Sequence, residues 1–219
     1  MHIGFLFLCD PIGVIKKEKT DMHIDPAFEK QISHIDLVAM SESQDVIYIV
    51  DSSIHLRAFN DAWSSFARNN NGETILFRYP LGATIADVGD GPVKNYIINR
   101  YKKALEENVP FVHDYECSSP QIYRVFHQTA YPIFDSSGLI ITNHLIITKP
   151  HNEEGVAFTS RFENEHNVIT QCANCRKIRD PQNEKTWFWV PELVEIPLPN
   201  ISHSICEPCL DHYYPDIES

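Results

Sequence analysis

The sequence predicts an α+β fold: a five-stranded antiparallel sheet with helices on one face, followed by a small C-terminal module held together by cysteines. Three observations predict it. Residues 111–148 read as three consecutive strands, Phe111–Ser118, Gln121–Phe134 and Leu139–Thr148, separated by clusters of turn formers. Two shorter strand-like runs lie upstream, with helical periodicity between them and the three. Two C-x-x-C pairs stand near the end of the chain. A meander of strands has to bury one face, and the helical stretches are the material available to cover it.

The first 20 residues carry no nameable chemistry. Gly4–Leu8 is apolar but short and lacks a basic leader, so it reads as a peripheral strand or a tail and not as a signal peptide. Lys16–Lys19 reads as a solvated charged patch. From Pro26 to Met40, Phe28, Ile32, Ile35, Leu37 and Val38 fall near a 3.6 period, and Asp25-Pro26 suits a helix start. This predicts an amphipathic lead-in helix that packs on its own sheet or pairs with a second copy of the chain. Val46–Val50 and Ile54–Phe59 are the first two strands, with Asp51-Ser52-Ser53 as their turn. Asn60-Asp61 caps a short helix over Ala62–Ala67, which ends at Asn69-Asn70-Asn71-Gly72. Phe77–Asp90, broken by Pro80, Gly82 and Gly89, reads as irregular. Gly91-Pro92 opens a longer helix with Val93, Ile97, Tyr101, Ala104 and Leu105 as its apolar stripe, and Asn108-Val109-Pro110 closes it. The resulting division is an N-terminal segment with the lead-in helix (1–40), a first domain (41–150), a polar linker (151–170) and a cysteine module (171–219).

Composition narrows the function. The 219 residues are 43% hydrophobic, enough for a core. With 18 basic against 30 acidic residues the net charge is −12, which disfavours phosphate backbones and anionic lipid as partners. No apolar run approaches the roughly 20 residues of a membrane helix.

The stretch 41–150 resembles the PAS sensor domains. The string DSSIHLRAFNDAWSSFARNN, from Asp51, is similar to a common bacterial PAS opening of the form G-x-I-x-x-x-N-x-A-W-x-x-F-A. Tyr115, Cys117, Ser119 and Pro120 match a Y-x-C-x-S-P turn before the long strand, and His144, Ile147 and Thr148 match the S-H-x-D-I-T end of the last one. Two positions depart from the pattern: Val125-Phe126 stands where W-F is usual, and Ile146 replaces the aspartate that ties such domains to a downstream helix. The resemblance implies a cupped core whose pocket holds a cofactor, a small metabolite or nothing. Trp63, Phe66, Phe77, Ile97, Tyr101, Phe126 and Gln128 would line it, or form plain core. Flavin is disfavoured because no N-C-R-F-L-Q helix lies in this domain. Haem is disfavoured because Val93–Asn108 holds no histidine. His113, His127 and His144 fall on strands, where solvent-facing or hydrogen-bonded imidazoles are the commoner outcome. Cys117 reads as a buried, inert thiol.

The second constellation is Cys172-Ala-Asn-Cys175 and, after 30 intervening residues, Cys206-Glu-Pro-Cys209. Two such knuckles supply four thiolates, the tetrahedral set that Zn²⁺ prefers in structural sites. Arg176, Lys177 and Arg179 could offset the cluster's charge, and Trp187–Val190 with Leu193 could give a small core that a metal would staple. His203 and His212 flank the second pair as second-shell donors, substitute ligands or surface groups. The module's four basic and eight acidic residues argue against nucleic acid. Residues 172–215 resemble a C-terminal extension of bacterial signalling proteins with the pattern C-x-x-C-K-K-I-R-D, W, F-S-H-x-I-C-P-x-C. Here Arg176, Ile201 and Glu207 depart from it.

Together these readings point to a cytoplasmic bacterial sensor or adaptor without an output enzyme, acting through a signalling-protein partner and open to self-association as a homodimer. The alternative is a thiol redox switch built on the two C-x-x-C pairs. A third reading, an enzyme using His127, Tyr131 and Glu116 as acid–base groups, has nothing in the sequence that places them together.

Overall fold

Strand β2 (Val46–Asp51) shows how the sheet is covered. Val46, Ile47, Tyr48, Ile49 and Val50 are all buried, although alternate side chains of a strand point to opposite faces. Both faces must therefore be covered. A computed structural model describes residues 21–70, 73–86, 91–195 and 198–216 and shows what covers each face.

The chain enters through β1 (Met22–Ile24) and a short α1 (Leu37–Glu42), then β2 and β3 (Leu56–Asn60). Three helices follow, α2 (Asp61–Asn69), α3 (Glu73–Arg78) and α4 (Gly91–Glu107). The meander β4 (Phe111–Glu116), β5 (Ile122–Pro132) and β6 (Gly138–Pro150) completes an antiparallel six-stranded sheet in the order β1-β3-β2-β6-β5-β4. Val46, Tyr48, Val50, Leu56, Ala130, Leu139 and Ile141 pack with Trp63 of α2 and Ile97, Tyr101 and Ala104 of α4 on one face. Ile49 and Ala58, from the alternate positions, pack with Phe28, Ile32 and Ile133 on the other.

Five of the six strands agree with the sequence reading. The sixth, β1, comes from the N-terminal segment and pairs Met22 with Asn60 at the sheet edge. The expected helix over 26–40 does not form. Residues 26–34 make successive turns closed by i→i+3 bonds, Phe28 N–H to Asp25 C=O and Gln31 N–H to Phe28 C=O, and only Leu37–Glu42 is helical. The Asp36 carboxylate accepts from the Ala39 N–H, which fixes that helix start. Of the periodic apolar residues Phe28 and Ile32 are nevertheless buried and Ile35 and Leu37 partly so, whereas Val38 is exposed. The irregular region begins inside α3, whose end at Arg78 points Phe77 to solvent at 85% exposure. Tyr79 takes the buried place instead, at 5%. Asn71, Gly72, Gly89, Cys9 and the patches at Gly4–Leu8 and Lys16–Lys19 lie outside the described residues.

A second sheet, β10-β7-β8-β9, follows from β7 (Ile169–Cys172), β8 (Ile178–Asp180), β9 (Asn183–Phe188) and β10 (Ile201–Ser204), with α5 (Pro191–Glu195) and α6 (Glu207–Tyr213). Its core is Phe162, Ile169, Ile178, Val190, Leu193 and Ile201, with Val156 and Phe158 against it. The stretch 151–170, expected as a linker, thus belongs to this unit. His151 stacks on Trp189 at 4.0 Å, and Gly155 lies so close to Pro191 that a Cβ there would meet its ring at 2.7 Å.

Candidate metal centre

Parallel pairing brings the two cysteine pairs together. β10 runs alongside β7 with Ser204 opposite Cys172, so both chains leave the sheet at the same end. Cys172 closes β7, and Cys206 follows β10 by two residues as the N-cap of α6, which carries Cys209 in its first turn. The first knuckle is closed by Cys172 N–H to Lys177 C=O (2.8 Å) and Arg176 N–H to Cys172 C=O (3.1 Å), with Arg176 in the left-handed region at φ 66°. The Ala173 N–H donates to Ser204 C=O at 2.8 Å and clamps that knuckle to the other strand.

The four sulfurs lie within 4.8 Å of one another, and all four residues are buried. Cys175 Sγ and Cys206 Sγ are 3.7 Å apart. Four sulfurs at about 2.3 Å from one ion sit about 3.8 Å apart at the corners of a tetrahedron. The spacing therefore fits a single cation, and none of the four cysteines is in a disulfide. Two donors aim at the sulfurs: the Cys206 N–H at Cys172 Sγ and Asn174 Nδ2 at Cys209 Sγ, both at 3.4 Å. Burial opposes charge on Cys172, but hydrogen bonds from the three neighbouring thiols and the Cys206 amide outweigh it and hold its thiol well below the usual range. Donating to Cys172 pushes Cys175 and Cys209 up. A bound cation is what would let all four ionise together. His203 and His212 are not among the cluster's ligand atoms.

The cluster forms one wall of a groove of about 560 Å³ between the two sheets. Three strands of the large sheet contribute their ends, through Glu116, Tyr123 and Lys149. The small unit contributes Cys175, Cys206, Cys209, Trp187 and Tyr213. Lys177 also lines it and pairs with Glu153 at 2.8 Å. Burial pushes the Glu116 carboxyl up to about 7, against the hydrogen bond from Ser118.

The residues expected to line a pocket in the large domain mostly fill it. Trp63, Ile97, Tyr101, Phe126 and Gln128 are at most 4% exposed. Phe66 is partly buried, edge-on to Phe126 at 5.7 Å. Phe77 does not belong to the set, since its ring is in solvent. The polar ends satisfy one another: Tyr101 Oη donates to Gln128 Oε1 at 2.7 Å, Gln128 Nε2 to Asn143 Oδ1 at 2.8 Å, and Tyr115 Oη to the same Asn143 oxygen at 3.0 Å. Tyr48 Oη joins Tyr101 Oη at 3.2 Å. Burial raises both of those phenols.

Of the strand histidines, His127 and His144 are exposed and pair with Asp114 (2.6 Å) and Asp45 (2.7 Å). His113 is buried at 7% exposure, and its Nε2 has no hydrogen-bond partner among the described residues. Cys117 is buried, as expected. Glu116 and Tyr131 are kept apart by the fold: Glu116 lies opposite Val125 of β5, and Tyr131 is six residues further along that strand, about 20 Å away. Sequence reasoning did not find Asn174 or Tyr214, which join the two units. The only signal was Asn174's place inside a metal-type knuckle.

No protein-family model matches the chain, and no curated protein matches it. No helix among the described residues is long and apolar enough to cross a membrane.

Proposed function

We propose that this chain is a PAS-like sensor or adaptor of bacterial signalling, cytoplasmic and without an output enzyme, whose C-terminal module is stapled by structural Zn²⁺ on Cys172, Cys175, Cys206 and Cys209. Four thiolates suit zinc, and with every coordination position filled by protein the ion supplies folding energy and no catalysis. The observation that carries the reading is the four-sulfur cluster set against the ends of β4, β5 and β6. Such a site can hold a second unit in a fixed place at one end of the sheet. Input then comes from a ligand or a protein partner in the groove and leaves through protein contact, with self-association as a homodimer as one form of output.

Native mass spectrometry of freshly purified protein tests this. One zinc per chain, lost with a Cys209→Ser substitution, supports it. A metal-free chain with four reactive thiols would overturn the zinc assignment, and a catalytic turnover product would overturn the adaptor.

One observation favours a second reading, the thiol redox switch: three of the four cysteines line the open groove, where an oxidant can reach them. Zinc content and free thiols measured before and after mild peroxide separate the two. Retained zinc with protected thiols excludes the switch.

A further inference from the structure

We infer that Asn174 couples the cysteine cluster to the large sheet, so that the metal state of the cluster sets whether Tyr214 and Asp216 stay docked against α4 and β4. The inference rests on the metal reading above. Asn174 is 2% exposed, and each of its side-chain polar atoms is used. Its backbone belongs to the first knuckle, between Cys172 and Cys175. Its Nδ2 donates to Cys209 Sγ of the second pair at 3.4 Å. Its Oδ1 accepts twice, from the backbone N–H of Glu116 at the end of β4 and from Tyr214 Oη, both at 3.2 Å. One residue of the first knuckle thus reaches Cys209 of the second pair, the large sheet and Tyr214.

What it holds is a built contact. Tyr214 is 3% exposed, and its ring lies 4.9 Å from His113 of β4 and 5.5 Å edge-on from Tyr96 of α4. Asp216 forms an ion pair with Arg100 of α4. The Tyr214 N–H caps α6 on Leu210 C=O at 3.0 Å. α6 is therefore fixed by cysteines at its first turn and by this aromatic slot at its last. A cation held by both pairs would tie Cys209, in the first turn of α6, to the knuckle that carries Asn174. Removing it leaves the two knuckles joined only by hydrogen bonds, so they spread. Asn174 then loses its sulfur acceptor, its orientation toward Glu116 and Tyr214 is no longer fixed, and the slot is released.

The test uses the full chain, ¹⁵N-labelled, with zinc bound and after chelation by EDTA, followed by residue-resolved amide exchange and by native mass. On chelation the Glu116 amide should exchange about five- to tenfold faster, the equivalent of one lost hydrogen bond. The Cys117 amide, which donates to Arg124 inside the sheet at 3.0 Å, should not change. The ring-current shifts that Tyr214 imposes on His113 and Tyr96 should vanish together. Asn174→Ala should reproduce both effects with zinc still bound; if that variant cannot hold zinc, the wild-type comparison decides. Zinc bound and removable with no change at Glu116, His113 or Tyr96 would overturn the coupling and leave the metal reading standing. A wild type that binds no zinc would overturn both.

Discussion

Asn60 shows how much one buried side chain can organise. It is fully buried, caps α2 through Oδ1 to the Trp63 N–H at 3.2 Å, and accepts from the Ile47 N–H of β2 at 3.1 Å with the same oxygen. Its Nδ2 donates to Asp45 C=O at 2.8 Å and Met40 C=O at 3.2 Å. Asn60→Ala removes a cap and strands two buried backbone donors, so we expect a loss of about 2–4 kcal/mol in denaturant unfolding. Asn60→Asp keeps the acceptor but turns a buried carboxylate oxygen on the Asp45 and Met40 carbonyls, so it should not restore wild-type stability; an alanine variant as stable as wild type would refute the account. His113 makes a different prediction. Burial lowers its imidazole from 6.5 to about 4, with Asp114 opposing and Arg100 adding to the shift. The unfolded chain therefore binds the proton first, and stability present above pH 6.5 is lost as the pH falls toward 4. The loss should amount to about 3 kcal/mol. His113→Phe fills the same aromatic slot without a titrating group and should flatten that limb of the stability–pH curve. A parallel curve for the two proteins would show that other groups set the acid limit.

At the scale of elements, the pairing of β2 with β6 depends on Gly138. A Cβ there would lie 2.1 Å from the Val50 carbonyl oxygen, a backbone atom that cannot swing away. Gly138→Ala should cost about 3 kcal/mol and accelerate amide exchange along Val46–Asp51 before any other strand. Uniform exchange across the sheet would place the strain elsewhere. The strands were the most legible part of the chain because their signals are local: β-branched runs such as Ile140-Ile141-Thr142, preceded by the turn formers Asp135–Gly138, favour extended backbone without help from the rest of the molecule. The α2 start was legible for the same reason, since Asn60 caps within its own neighbourhood. The 26–40 segment misled because its spacing marks burial and not helicity. Phe28 and Ile32 return to one side in turns as well as in a helix, and Asp36 delays the helix to Leu37. Phe77 misled because an aromatic between Leu76 and Tyr79 carries no mark of which neighbour turns inward. The cysteine spacing announced four converging sulfurs, but nothing in it announced the parallel register of Ser204 with Cys172, a contact between distant residues. Asn174 was hidden likewise: its partners, Glu116, Cys209 and Tyr214, lie 35 to 58 residues away along the chain.

For the molecule as a whole, the two sheets differ in what holds them. In the large sheet β2 and β3 bury side chains on both faces, Val46 and Tyr48 on one side and Ile49 and Ala58 on the other. Among the described residues the small one has a separate core built on Phe162, Ile169, Ile178, Val190, Leu193 and Ile201. A unit with so little apolar interior needs a staple, and a cation bound by four thiolates contributes about 10–16 kcal/mol of folding free energy at neutral pH. With metal bound, both parts should therefore melt in one transition, since the module is then no weaker than the sheet it rests on. Chelation should split that transition in two. The module unfolds first, reported by Trp187 and Trp189 fluorescence, while Trp63 and the amide protection of β2 and β6 persist to the higher temperature. Cys206→Ser, which removes one sulfur ligand and leaves a good N-cap residue at the start of α6, should give the split without any chelator. Calorimetry of the full chain decides the matter. A single transition at the same temperature with and without chelator would mean that side-chain packing alone holds the small sheet, and that the sulfurs converge for some purpose other than a metal.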